Sequence, residues 1–345
     1  MKAEKSVNYI VMNTKDVVQN FIKKTGFSSK VLFDEEIAPR TTFKIGGKAA
    51  CFVEPEDSFQ LQDIIALSKK YKLPYFVLGG MSNIVFPDDY FDGIVISTLG
   101  MKGMYSDVRE DSEDVYICSG SGESMENLVN FCTENGFTGM ERFAGLPGTV
   151  GGAVYMNARC FDKSISNLIV SAYVFDTETF DCEEVPFREE DWAYKVSPFQ
   201  NKNKIILQAV FALKKADKAA GGEASCNGGD AKCAAGTSDK AEPSLKAECE
   251  FYIQERKKRG HFDYPSAGSV FKNNRSFGSP SGKIVDECGL RGYRTGNAQV
   301  APFHGNFIIN LGGATQKDVK KLVEYVVNTV RDKTGFTLEP EIIFL

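Results

Sequence analysis

The sequence predicts an α+β fold in three units, and three observations carry that prediction. Short apolar runs of strand length alternate with amphipathic stretches bearing helix start and stop signals. Two glycine-rich loops punctuate the first two units, Leu78-Gly79-Gly80-Met81-Ser82-Asn83 and Gly145-Leu146-Pro147-Gly148-Thr149-Val150-Gly151-Gly152. A stretch over 216–244 breaks the pattern, with no large aliphatic or aromatic side chain in it. At 345 residues the chain is too long for one small core. The expected units are 1–100, 101–215 and 245–345, with 216–244 an insertion too poor in apolar area to offset its ordering entropy.

Residues 1–30 read as a weak leading helix followed by polar turn residues. Acidic residues in Glu54-Pro55-Glu56-Asp57-Ser58 suit the positive end of a helix, whose apolar stripe is Phe59, Ile64, Ile65 and Leu67, up to Tyr71. Pro74 ends it, and Tyr75–Leu78 is a strand running into the first glycine loop. Gly93–Ser97 and Val115–Cys118 are further strands. A helix opens at Ser124 and stops at Asn135-Gly136. Leu168–Phe175 and Ile205–Leu213 are strongly apolar strands around a polar segment, 176–204. Beyond the insertion come a helix from Leu245 to about Lys258, a turn with a strand in 264–274, a strand over Asn306–Leu311, an amphipathic helix over Gln316–Lys333 and a final strand over Glu341–Leu345.

Composition removes several functions. A net charge of −5 without a basic stripe argues against nucleic acid as a partner. No apolar run approaches the ~20 residues a membrane span needs, and the first residues lack the apolar core of a signal peptide, so a cytoplasmic location is expected. Nine cysteines and two histidines include no C-x-x-C pair, so no metal site is expected. Cys51, Cys118, Cys132, Cys160, Cys182 and Cys288 stand singly in apolar or mixed segments and read mostly as small buried hydrophobes; Cys226 and Cys233 lie in the insertion.

The glycine loops carry the chemistry. Glycine reaches positive φ and admits close backbone approach, so successive N–H groups in such loops can hold phosphate oxygens; each loop alone is equally a tight turn. No G-x-x-x-x-G-K-[ST] occurs, and no G-x-G-x-x-G follows a strand in a βαβ unit, which removes the P-loop and Rossmann sites. Two loops presenting amides suit a long diphosphate held between layers, a flavin dinucleotide being one such ligand.

Five motifs occur in order: Thr41-Thr42-Phe43-Lys44-Ile45-Gly46-Gly47, the two glycine loops, Tyr264-Pro265-Ser266-Ala267-Gly268-Ser269-Val270-Phe271-Lys272-Asn273, and Leu338-Glu339-Pro340-Glu341. In these the chain resembles the UDP-N-acetylenolpyruvoylglucosamine reductase family, in its shorter subtype, over about 32–215 and 245–345. The resemblance implies a two-part FAD-binding module of the vanillyl-alcohol-oxidase (PCMH) type followed by an α+β substrate domain. It implies FAD and NADPH as cofactors, a UDP-sugar substrate, peptidoglycan precursor synthesis and a monomeric chain. The cofactor residues it implies are Gly79, Gly80, Met81, Ser82 and Asn83 in the first loop. In the second they are Gly145, Pro147, Gly148, Thr149, Gly151, Gly152, Asn157 and Ala158.

The implied reaction adds hydride to C3 of an enolpyruvyl ether, so charge builds on C2 and its carboxylate. It needs a stabilising cation or acid and a proton donor. By position Ser269 matches the family's proton donor and Glu341 the acid of the Leu-Glu-Pro-Glu signature. Lys195 stands in Tyr194-Lys195-Val196-Ser197, where the family usually has Tyr-Arg-x-Ser. Lysine keeps the charge but loses the planar fork that grips a carboxylate. Tyr194, Lys272 and Asn273 match substrate contacts. A second departure is Arg159, after Met156-Asn157-Ala158, where glycine is common. Either φ is negative there or the loop has shifted, and a cation at this position suits the diphosphate or the active site. Another FAD-linked sugar or alcohol oxidase and a non-catalytic nucleotide-sugar binder are the competing readings; the Ser269 and Glu341 motifs favour the reductase.

Overall fold

In the computed structural model, residues 13–108, 114–200, 203–216 and 244–345 are described. The first sheet runs in the order Lys30–Glu36, Lys48–Glu54, Phe91–Ser97, Tyr75–Leu78. Its first pair is antiparallel and the other two are parallel. Lys48–Glu54 and the end of Phe91–Ser97 are buried, as strands covered on both faces should be. Helix Ser58–Tyr71 covers the sheet, its first turn capped by the Asp57 carboxylate, which accepts from the Gln60 amide at 2.8 Å. The helix stops at Lys72 in a left-handed conformation, two residues before Pro74. Leu61, Ile64, Ile65 and Leu67 form its buried face. Phe59, expected there, is 75% exposed, because Leu61 takes the inward position of the first turn.

The second sheet is antiparallel, in the order Cys182–Pro186, Ile169–Asp176, Lys204–Lys215, Asp114–Gly120, Met104–Val108. Helices Met125–Glu134 and Val150–Tyr155 pack on it around Ile117, Leu128, Val154, Val174 and Phe211. The second glycine loop is therefore not loop throughout: Thr149 caps a six-residue helix within it. Helix Leu245–Lys258, adjacent in sequence to the last unit, packs on this second core through Cys249, Tyr252 and Ile253.

The third sheet runs Ser266–Ser269, Phe307–Asn310, Ala298–Val300, Arg294–Thr295. Helix Gln316–Thr334 lies over it with Val319, Leu322, Val323, Val326 and Val330 inward, the spacing of one apolar helix face. Phe43 and Ile45 of the first unit enter this core, held by Asn310, whose amide donates to Phe43 O at 3.0 Å and Lys44 O at 3.2 Å. Strand Ile343–Phe344 returns to pair in parallel with Ile84–Val85, just after the first glycine loop. No helix among the described residues is long and apolar enough to cross a membrane. Cys51, Cys118, Cys132, Cys160, Cys249 and Cys288 are buried, but Cys182 is exposed because it begins an edge strand. The expectations for 217–243, with Cys226 and Cys233, lie outside the described residues.

Candidate active site

The two glycine loops meet. A Cβ on Gly80 would lie 2.6 Å from Gly148 Cα, and one on Gly79 would lie 2.4 Å from Thr149 Oγ1. Ser82 Oγ donates to Pro147 O at 3.3 Å, tying one loop to the other. Such an approach has no room for a side chain, which accounts for the glycines. In the first loop Met81 adopts positive φ, 50°, and among the described residues the amides of Gly80, Met81, Ser82 and Asn83 reach no protein acceptor. A run of unpaired amides around a left-handed residue is a nest for an anion. In the second loop the donors of 150–152 are committed: Val150 N to Glu123 O, Gly151 N to Ser121 O and Gly152 N to Thr149 Oγ1. The first loop thus offers free amides at 80–83, and the second adds those of Gly148 and Thr149, which likewise reach no acceptor among the described residues, while its helical part shapes the wall.

The loops line a cavity of 690 Å³, a size that suits a dinucleotide. Every residue expected to hold the cofactor lines it except Asn157. Asn157 is buried, and its amide donates to Ala193 O at 2.8 Å while its carbonyl accepts from Ser166 N at 3.0 Å. It braces the turn that carries Lys195 instead of facing the cavity. The cavity's glycines, the unpaired amides and its apolar walls fit FAD.

A second cavity, 1010 Å³, is lined by Tyr194, Lys272 and Asn273, the residues expected at the substrate. Two of them are partly committed. Lys272 Nζ lies 2.5 Å from Glu339 Oε1, and the Asn273 side chain accepts from Ser281 N at 2.8 Å. Tyr194 Oη accepts from Asn273 N at 3.4 Å.

Lys195, Ser269 and Glu341 line both cavities. Three separate parts of the fold bring them there. Residues 339–341 run beside 270–272, with Glu341 N donating to Val270 O at 2.7 Å and Lys272 N to Glu339 O at 2.9 Å. Asn306 pins that segment by giving and taking hydrogen bonds with the Phe271 backbone, at 2.9 and 2.8 Å. Asn83 of the first glycine loop donates to Glu341 O at 3.2 Å. Lys195 sits at φ 61° in the turn 193–196, a strained conformation for a lysine. Gln200 Nε2 donates to Lys195 O at 3.0 Å and Tyr155 O at 2.9 Å, and Ser197 Oγ donates to Tyr155 O at 2.7 Å. Lys195 Nζ then lies 2.6 Å from Glu341 Oε1, with both side chains about nine-tenths buried.

Arg159, Phe161, Arg259, His261 and Phe307 complete the shared wall. Phe161, Arg256, Arg259 and His261 were missed in the sequence; the only signal was the basic run Arg256–Arg259 at a helix end, which reads equally as helix-dipole compensation. Arg256 is buried and donates to Ala144 O at 2.8 Å and Arg142 O at 3.3 Å. Burial, aided by the charges of Arg256 and Arg259, lowers the His261 pKa to about 4, so the ring is neutral at pH 7. Burial also raises the Cys160 thiol, with Arg256 opposing it.

Comparison with known proteins agrees with this layout. Residues 260–345 match the C-terminal domain of UDP-N-acetylenolpyruvoylglucosamine reductase, and residues 49–178 match an FAD binding domain. The reductase of Treponema denticola is 41% identical over 90% of this chain and 92% of its own. That of Borreliella burgdorferi is 37% identical over 95% and 98%. The crystal structure of the Thermus caldophilus reductase superposes with a TM-score of 0.66 at 26% identity, covering 92% of this chain and 98% of that one. The C-terminal match contains Ser269 and Glu341, Lys195 lies between the two matches, and the relatives match across all three: the chain belongs to the UDP-N-acetylenolpyruvoylglucosamine reductase family.

Proposed function

We propose that the wall shared by the two cavities is the reacting centre of an FAD-dependent, NADPH-driven reductase that converts UDP-N-acetylenolpyruvoylglucosamine to UDP-N-acetylmuramate. The observation that carries this is the position of Lys195, Ser269 and Glu341 on both cavities at once. Bound FAD, reduced by NADPH, supplies the hydride for C3 of the enolpyruvyl ether. Gly79–Asn83 and Gly145–Thr149 would hold its diphosphate and wall its rings.

The side chains then divide the remaining work. Lys195 presents an ammonium to the substrate carboxylate, where negative charge develops as C3 gains hydride. Glu341 holds that ammonium in place from 2.6 Å. Ser269 follows Gly268, whose φ of 76° turns the chain there, and its hydroxyl supplies the proton for C2. Tyr194 and Asn273 would face the sugar nucleotide and Lys272 its phosphates. Residues 1–100 and 101–215 serve the cofactor and 245–345 the nucleotide sugar, with helix Leu245–Lys258 bridging to the second core. All of these groups come from one chain, so a monomer suffices.

The test is a visible spectrum under anaerobic conditions. The protein should be yellow, bleach with NADPH and regain colour when the enolpyruvyl substrate is added. Failure of that substrate to restore colour would sink the assignment, and a colourless protein that takes up no flavin would make the chain a binder only.

A further inference from the structure

We infer that Arg159 is the residue that clamps the substrate carboxylate, a further catalytic residue beside Lys195. The inference rests on the reductase reading of the site. Lys195 and Glu341 form a close, largely buried pair of zero net charge. One ammonium proton already points at Glu341, and an ammonium cannot meet both oxygens of a carboxylate with a planar fork. A carboxylate entering this wall, and gaining charge as C3 is reduced, needs a further cation that is not neutralised in advance.

Three arginines line the cofactor cavity, Arg159, Arg256 and Arg259, and two are engaged elsewhere. Arg256 gives its N–H groups to Ala144 O and Arg142 O. Arg259 lies 3.9 Å from Glu255 and stacks over Phe161 at 5.4 Å. Arg159 is exposed, lines both cavities, and among the described residues its guanidinium makes no hydrogen bond or ion pair. Asp162, the nearby carboxylate, is bonded by Arg142 at 2.5 Å and feels Arg159 only as a more distant charge. The backbone of Arg159 is fixed: it pairs with Ser164 in a two-residue hairpin, and it is absent from the positive-φ residues that flank it, Asn157 and Phe161. The side chain is thus presented from a rigid base into the junction of the cavities with its fork free. An arginine lining the same two cavities as Lys195 restores what a lysine at position 195 cannot do.

Calorimetric titration of the oxidised, FAD-loaded enzyme, where no turnover occurs without NADPH, tests the assignment with two probes. One is the enolpyruvyl UDP-sugar; the other is UDP-N-acetylglucosamine, which lacks the carboxylate. Arg159→Gln should raise the Kd of the first at least about tenfold, the cost of a lost charge-assisted hydrogen bond, and leave that of the second unchanged. Arg159→Lys should recover only part of the loss. Equal weakening of both probes would place Arg159 on the diphosphate, and no change in either would leave it without a role; both outcomes overturn the inference. If the parent enzyme fails to bind the enolpyruvyl probe, the reductase reading itself falls. Arg159 is solvent-exposed, so its replacement should leave the thermal midpoint within about 2 °C of the parent, and a larger drop would mark a structural role instead.

Discussion

Lys195 Nζ and Glu341 Oε1 are 2.6 Å apart, although 146 positions separate the two residues in the chain. Each comes from an irregular segment: Lys195 from a turn braced by Asn157 and Gln200, Glu341 from a strand-like run pinned by Asn83 and Val270. Lys195→Met leaves Glu341 buried without its cation and should destabilise the fold by about 3 kcal/mol. Flavin bleaching by NADPH should persist, while reoxidation by the enolpyruvyl substrate should slow at least about 100-fold. Stopped-flow traces of the two half-reactions separate these effects. Reoxidation near the parent rate would remove Lys195 from the mechanism.

Gln200 is predicted to act through the same turn. Two backbone carbonyls, Tyr155 O and Lys195 O, share its amide nitrogen. Gln200→Leu keeps the shape and removes the donor, so the left-handed backbone at Lys195 loses a restraint. Misplacement of a reacting group by about 1 Å can cost about 100-fold in rate, and reoxidation should slow by roughly 10–100-fold with flavin content unchanged. In a Lys195→Met background the same change should add nothing, and an additive effect would refute the route through Lys195.

Gly80→Ala should empty the cofactor cavity. Its methyl would meet the Gly148 backbone at 2.6 Å, and a backbone atom cannot swing aside as a long side chain can. The loops must part, and FAD affinity should fall by about an order of magnitude or more. Flavin-to-protein absorbance of the purified variant reads this directly; a parent-like ratio would show that the loop contact does not matter.

His261 gives the stability a pH slope. Its folded-state pKa of about 4 lies below the ordinary value of 6.5, because burial and the neighbouring arginines disfavour the charged ring. The unfolded chain therefore binds the extra proton first as pH falls. The contribution is complete above about pH 6.5 and is lost progressively down to about 4. Between pH 7 and pH 5 the loss is on the order of 1–2 kcal/mol. His304, also lowered by burial, adds in the same sense. Urea unfolding at the two pH values, repeated with His261→Phe, should show the slope shrink; an unchanged slope would place the titration elsewhere.

Regular elements with strong periodicity were legible in the sequence. Helix Leu245–Lys258 and strand Tyr75–Leu78 lie where pattern and punctuation put them. Strand Lys30–Glu36 was not legible: it is an edge strand with Asp34, Glu35 and Glu36 in it, and its exposed face dilutes the alternation. The glycine loops signalled close approach, yet only coordinates distinguish the free amides of 80–83 from the committed ones of 150–152. Asn157 shows the same limit. An amide beside a glycine loop reads as a ligand contact, whereas its two hydrogen bonds go to Ala193 and Ser166. Partners this far away in sequence leave no local pattern.

The pairing of Ile343–Phe344 with Ile84–Val85, and the Asn83–Glu341 bond beside it, bears on when the site comes into being. On the ribosome the first glycine loop emerges about 260 residues ahead of the segment that props it. Until Glu341 and Ile343 have been made, the nest of amides has no floor on that side. Flavin capture therefore waits on that distant segment, and any product halted before Glu341 should stay colourless and exposed to proteolysis.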